Sequence, residues 1–264
     1  MVRTGALTAV ALLTGAVDCA SAVTTQPVSP SGDVVIAAAD GVRNPSAPFR
    51  VTLTLVEYNN NRPETRTVLV IYAKENSATR QFDNLVRYAE PHRDTGKLVL
   101  FTASSLWFFD PASQASIRIS PEQRLSGQAS DGDVLTVNLT RDFTARVVGI
   151  ETLRDADHQE RECWRLGMTA ATPEAIYDRI EYWVERGTFR PIKAKFYADS
   201  GRLLKIAYYH KYKEQLGASR PTEVILIDAV NPNLATTIGY SDYRFQRIPE
   251  AWFQRDYLPR LKPE

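Results

Sequence analysis

Three histidines offer themselves first for acid-base or metal chemistry, because imidazole titrates near neutral pH and is a common metal ligand. His92, His158 and His210 lie far apart, however, and none stands at a zinc-ligand spacing. No G-x-S-x-G elbow or comparable context singles out a serine beside them, so each histidine reads as an exposed or turn residue. Asp131-Gly-Asp133 has the opening spacing of a calcium loop, but the later ligands and the closing glutamate do not follow. Gly127, Gly132 and Gly149 form no phosphate cradle, and Asp155 and Asp157 sit in a polar stretch that looks like a hairpin tip. Cys163, between Glu162 and Trp164, reads as a small buried hydrophobe. No catalytic residue, metal ion or cofactor is expected, and the chain is not read as an enzyme.

The basic, aromatic stretch Lys205 to Lys213 has the composition of a surface that stacks single-stranded nucleic acid. In a strand it alternates, with Lys205, Ala207, Tyr209, Lys211 and Lys213 on one face and Ile206, Tyr208, His210 and Tyr212 on the other. With 32 basic against 31 acidic residues the net charge is +1, too little for a global field that attracts nucleic acid. A sheet edge or rim guarded by lysines is the better reading, and no nucleic-acid partner is expected.

What must position any site is a large core, for which 264 residues at 44% hydrophobic content are ample. Met1 to Ala22 reads as an export signal: Arg3 in a short n-region, an apolar run from Ala6 to Val17, and Ala20 and Ala22 in an A-x-A arrangement. Cleavage near Ala22 would leave Cys163 as the one cysteine, hence no internal disulfide. Asp18 stands where a lipobox needs a small residue before Cys19, which argues against lipidation there. No later stretch approaches about 20 uncharged apolar residues, so the mature chain should be soluble, and the export signal places it in the periplasm.

Residues 23–48 form a flexible lead-in followed by a short helix, capped by Asp33 and ended by Gly41. From Phe49 the texture becomes alternating and rich in β-branched and aromatic residues, as in strands half buried on one face. Val51 to Tyr58, a turn at Asn59 to Pro63, and Arg66 to Lys74 make a hairpin. The same pattern recurs at Phe82 to Tyr88, Lys97 to Thr102, Leu106 to Phe109, Ala145 to Leu153, Glu162 to Met168, Tyr177 to Val184, Pro191 to Ala198, Leu203 to Tyr212, Glu223 to Asp228 and Tyr240 to Ile248. Turn signals separate these runs and long helical crossovers are lacking, so residues 49–264 read as one mainly antiparallel β domain, either a curved sheet or a barrel. Ile119 to Asp142 is the least strand-like stretch and reads as a loop with short helical turns crossing the sheet.

Several segments carry a resemblance: Gly96 to Phe101 leading into Leu106-Trp-Phe-Phe-Asp-Pro111, Ser116 to Ser120, Ser126-Gly-Gln-Ala-Ser-Asp131, Cys163-Trp164, Tyr177 to Val184 with Arg190-Pro191, and Phe196 to Lys205. In this order, over about Val34 to Leu258, the chain resembles the outer-membrane lipoprotein-sorting proteins of the LolA-like family. It departs from them at Gly132, where an aromatic is usual, and at Asn138-Leu139 in place of Asp-Leu. The resemblance implies an unclosed antiparallel β-barrel with a few short helices across the open side, and an apolar groove for acyl chains of a lipid or lipoprotein. It also implies a periplasmic carrier that meets an inner-membrane transporter or outer-membrane acceptor. An accessory envelope protein binding a partner through its sheet edge is the alternative. Leu53, Leu55, Val70, Phe82, Trp107, Phe109, Trp183 and Phe196 are expected to face into the groove.

Overall fold

The computed structural model describes residues 1–2, 30–102, 105–120 and 123–261. The expected export signal and Cys19 fall outside the described residues, apart from Met1 and Val2.

Helix α1 (Gly32–Arg43) is capped by Ser31, two residues before the expected cap Asp33. The Ser31 hydroxyl accepts from the Val34 amide at 3.3 Å, and Asp33 instead accepts from the Ala145 amide at 2.9 Å. Gly41 does not end the helix, which runs on to Arg43 before Asn44 leaves it in extended geometry.

Six strands then meander, each antiparallel to its predecessor: β1 (Phe49–Asn59), β2 (Arg62–Glu75), β3 (Phe82–Glu90), β4 (Leu98–Thr102), β5 (Ser105–Asp110) and β6 (Ala115–Ile119). Asn60 and Asn61 turn the first hairpin with φ of 49° and 61°, a left-handed conformation that asparagine tolerates well. A second meander runs through β9 (Phe143–Arg154), β10 (Glu160–Ala170), β11 (Arg179–Glu185), β12 (Pro191–Tyr197), β13 (Leu203–Gln215), β14 (Ala218–Asp228) and β15 (Leu234–Phe245). β15 pairs with β1, placing Leu55 opposite Ile238, so the two meanders fuse into one 13-stranded sheet with β6 at one edge and β9 at the other. The sheet does not close into a barrel, so the unclosed antiparallel arrangement expected above is the one observed.

That order forces the connection from β6 to β9 to travel from one edge to the other. It does so as a crossover over the inner face, containing β7 (Arg124–Ser126), β8 (Ala129–Ser130), a 3-10 turn at Asp131–Val134 and the single turn α2 (Leu139–Asp142). The crossover and α1 bury their apolar residues against the sheet: Val35, Ile36, Ala39, Val134, Leu135, Val137 and Leu139 join one large core. The outer face is also covered in places. The C-terminal turns Glu250–Phe253 and Arg255–Arg260 lay Ile248, Phe253 and Leu258 over Val70, Tyr72, Leu85, Leu98, Leu100 and Phe109. Among the described residues no helix is long and apolar enough to cross a membrane.

Several expectations are corrected here. β6 adds a strand not read from the sequence, and β11 begins at Arg179, leaving Tyr177 in the loop before it. β15 ends at Phe245, with Ile248 belonging to the outer cover. The Lys205 to Lys213 stretch lies in an internal strand between β12 and β14 and not at an edge; its alternation breaks at Lys211, whose φ is 54°. His210 is buried, not exposed: Glu223 Oε1 lies 2.8 Å from Nε2 and Asp157 Oδ1 3.4 Å from Nδ1.

Candidate functional site

The chamber between the sheet's inner face and the crossover holds two adjoining cavities, of about 100 Å³ and about 70 Å³. Alternation along each strand sends every second side chain into it. Val51 and Leu53 come from β1, Tyr209 from β13, Val224 and Leu226 from β14, and Ile238 and Tyr240 from β15, with Leu135 and Val137 closing it from the crossover. Asn44 and Pro45 line the smaller cavity and also an open cleft of about 420 Å³ between α1, α2 and the start of β3, walled by more charged and polar residues.

Arg43, in the last turn of α1, is the basic residue that lines both inner cavities among the described residues. Its Nη2 donates to Asp40 Oδ1 at 2.9 Å and to the Val137 carbonyl at 2.8 Å, tying helix to crossover. Asn44 donates to the same carbonyl at 3.0 Å and to Asn138 Oδ1 at 2.9 Å. Burial alone would lower the Arg43 pKa, but the neighbouring Tyr182, Asp40 and Tyr209 hold it above its ordinary value, so the guanidinium stays charged. Burial in turn pushes the Tyr182 hydroxyl well above the usual tyrosine range, against the opposing charge of Arg43. Among the described residues, the Arg43 Nε and the Tyr182 hydroxyl are both buried without a hydrogen-bond partner.

A second polar cluster pins the other end of the crossover. Lys205 Nζ reaches Asp133 Oδ2 at 2.5 Å, the Gln128 carbonyl at 3.1 Å and Ser130 Oγ at 3.4 Å, and it lies over the Tyr177 ring. The Tyr177 hydroxyl donates to Asp133 Oδ1, and Ser130 and Asp133 form a capping box. The triplet Asp131-Gly-Asp133 thus caps a turn. Asp131 itself is 4% exposed, and desolvation raises its carboxyl to about 7. Asn84 ties the middle of the crossover: its side chain donates to the Thr136 carbonyl and accepts from the Thr136 amide, each at 2.9 Å. Cys163 faces outward beneath Leu153, Trp183 and Ile192, and burial pushes its thiol up to about 12, out of reach of thiolate chemistry.

The eight residues expected to face the groove divide. Leu53, Leu55, Phe82 and Phe196 lie in the inner core, and of these Leu53 and Phe196 line the cavities. Val70, Trp107 and Phe109 sit on the outer face under the C-terminal cover, and Trp183 in the outer cluster with Cys163. These four are corrected: the sheet is covered on both faces, so an apolar alternate position does not by itself point inward. Arg43, Tyr182, Lys205 and Asp133 were not anticipated. Their places follow only from contacts between segments distant in sequence, which no local pattern marks.

Fold and chamber together define the class, an unclosed antiparallel β-barrel of LolA-like type. A LolA superfamily protein of Nitrosomonas europaea is similar at 29% identity and a TM-score of 0.77, over 87% of this chain and 100% of that one. A DUF1329 family protein of Desulfovibrio piger is similar at 18% identity and a TM-score of 0.72, over 86% of this chain and 97% of that one. A domain of Vibrio parahaemolyticus named for outer membrane lipoprotein sorting is similar at 18% identity and a TM-score of 0.69, over 86% and 98%. No curated protein sequence matches. A family model described as that of an uncharacterized protein matches residues 81–260, and the chain belongs to that LolA-like family.

Proposed function

We propose that this protein binds acyl chains of a lipid or lipoprotein in the chamber between sheet and crossover, and that it acts as a periplasmic carrier rather than an enzyme. The observation that carries the reading is the pair of adjoining cavities, walled largely by aliphatic and aromatic residues, beneath a cover held by a few polar bonds. Each cavity is smaller than the roughly 150 Å³ that accommodates benzene in an engineered protein interior. A long chain therefore enters by displacing the crossover, which exchanges its apolar contacts for the ligand's. Each methylene buried contributes about 0.8 kcal/mol, so an acyl group of ordinary length suffices for useful affinity without chemistry. Leu53, Leu55, Phe82 and Phe196 are the groove residues retained in this reading. The export signal over residues 1–22, the inner-membrane transporter or outer-membrane acceptor, and lipoprotein sorting as the task belong to the same proposal.

The test is solvent extraction of protein purified from a bacterial periplasm, followed by melting with added acylated peptide. Ligand at 100-fold over its Kd is expected to stabilise by about 2.7 kcal/mol. Extracts repeatedly free of lipid, with an unchanged melting temperature, would sink the reading. A second reading, an accessory protein that pairs through its sheet edge, is favoured by Val148 and Ile150, which are 49% and 50% exposed on edge strand β9. Crosslinks from β9 to a partner strand, with a lipid-free interior, would select it.

A further inference from the structure

We infer that the bare outer face of β12 to β15 and β1 docks on an anionic lipid bilayer, through a patch of aliphatic and aromatic side chains flanked by Lys193 and Lys195. This goes beyond the acyl-chain reading and does not rest on it, because the chamber lies on the opposite face of the sheet.

Strand register builds the patch. Ile206 stands opposite Ile227, and Tyr208 opposite Ile225, across β13 and β14. Ile225 in turn stands opposite Thr237 of β15, and Thr237 opposite Val56 of β1. Alternation turns these side chains outward, since Leu55, Ala207, Val224 and Leu226 beside them lie in the inner core. Val56, Ile206, Tyr208, Ile225 and Ile227 are each half-buried, yet none joins the inner core or either outer apolar cluster among the described residues. The C-terminal turns cover the outer face from β2 to β5 and leave this region bare. A contiguous apolar patch rimmed by polar residues marks an interaction surface.

Charge and shape choose the occupant. β12 sets Lys195 opposite Ile206 and Lys193 opposite Tyr208, so the patch has a basic flank. Lys193 Nζ lies 5.4 Å from the Trp183 ring centre and 5.2 Å from that of Tyr208, and Lys195 Nζ lies 5.6 Å from Trp183. Among the described residues no ion pair joins either ammonium to a carboxylate. Acids of the same face are engaged elsewhere, Glu151 by the Trp183 indole at 3.0 Å and Glu223 by His210 and Lys211, each at 2.8 Å. Lysine stems laid along aromatic rings beside half-exposed aliphatic side chains fit the boundary between anionic head groups and hydrocarbon. The outer side of a curved sheet is also convex. A second copy would meet it convex against convex and bury little, whereas a bilayer deforms around it.

The test is sedimentation of the purified full chain with vesicles of phosphatidylglycerol and phosphatidylethanolamine in equal parts, and with vesicles of phosphatidylcholine alone. The wild-type protein is expected to partition onto the anionic vesicles at least about tenfold better, which is about 1.4 kcal/mol, and to be released at high salt. Lys193→Glu with Lys195→Glu is expected to remove that preference. Ile225→Thr with Ile227→Thr, which keeps strand-forming residues, is expected to weaken partition onto both vesicle types. Equal wild-type partition onto the two vesicle types, or an anionic preference that survives both lysine changes, overturns the inference. Absence of binding to any vesicle overturns it too and leaves the face to a protein partner. Self-association of the wild-type protein that the threonine variant abolishes also overturns it, for a second copy then covers the patch. Titration with a soluble acyl probe separates the two readings: it is expected to be unchanged in both variants, and its failure in the wild-type protein sinks the acyl reading alone. If either variant does not fold, the wild-type comparison and its salt dependence still decide.

Discussion

The polar residues inside this molecule do structural work that apolar ones could not, because each fixes the crossover at one point. Lys205 and Asp133 are nearly buried, and a buried pair whose partner is removed leaves an uncompensated charge. Lys205→Met is therefore expected to cost roughly 3–5 kcal/mol in urea denaturation, and replacing both residues with apolar ones to cost less than that single change. Asp131 behaves differently, for among the described residues no ion pair joins it to a cation. Desolvation raises its carboxyl from 3.8 to about 7. Between those values the folded state holds a proton that the unfolded state has released, so stability falls as pH rises through that window and levels off above about 7. Asp131→Asn is expected to stabilise the protein at pH 8 and to give little gain near pH 4, read from denaturation midpoints at both. An equal effect at both pH values would show that the carboxyl does not titrate in the folded interior. None of these roles was visible in the sequence, where Lys205 stood in a basic, aromatic run and Asp131 beside a discounted calcium spacing.

At the scale of elements, strand periodicity was legible and sidedness was not. Val51, Leu53 and Leu55 alternate with Thr52, Thr54 and Val56, and all three face the inner core as their pattern requires. Val70, Trp107 and Phe109 also alternate, yet they pack under the C-terminal turns, because those turns supply a second apolar surface on the outer face. Trp252 meets Tyr72 edge-on at 5.1 Å, Arg255 lies over Trp107, and Glu250 pairs with Lys74, so the cover is held along its length. Phe253 is 6% exposed, and Phe253→Ala is expected to cost about 3–5 kcal/mol. Because that cover and the chamber lie on opposite faces, the variant's affinity for an acyl ligand should stay within about twofold of wild type at a temperature where it is folded, as titration would show. A large loss of affinity would mean that the two faces are coupled through the sheet.

For the whole molecule, the decisive feature is the order in which the strands assemble. Two meanders joined at β1 and β15 leave β6 and β9 at opposite edges, and the chain's crossover between them packs on the inner face. The sequence already marked Ile119 to Asp142 as the least strand-like stretch, and its Gly and Asp content matches the turns at Gly127 and Asp131–Val134. That it roofs a chamber, and that Arg43 from α1 reaches that roof, depends on contacts between segments 94 residues apart, which local patterning does not encode. The most direct measurement of the central claim is native mass spectrometry of the protein purified from a bacterial periplasm, paired with lipid extraction of the same sample. A bound mass matching an acyl-bearing molecule, lost on mild activation to leave the bare chain, is the predicted result. A bare mass that stays unchanged after incubation with fatty acid, phospholipid and acylated peptide would contradict it.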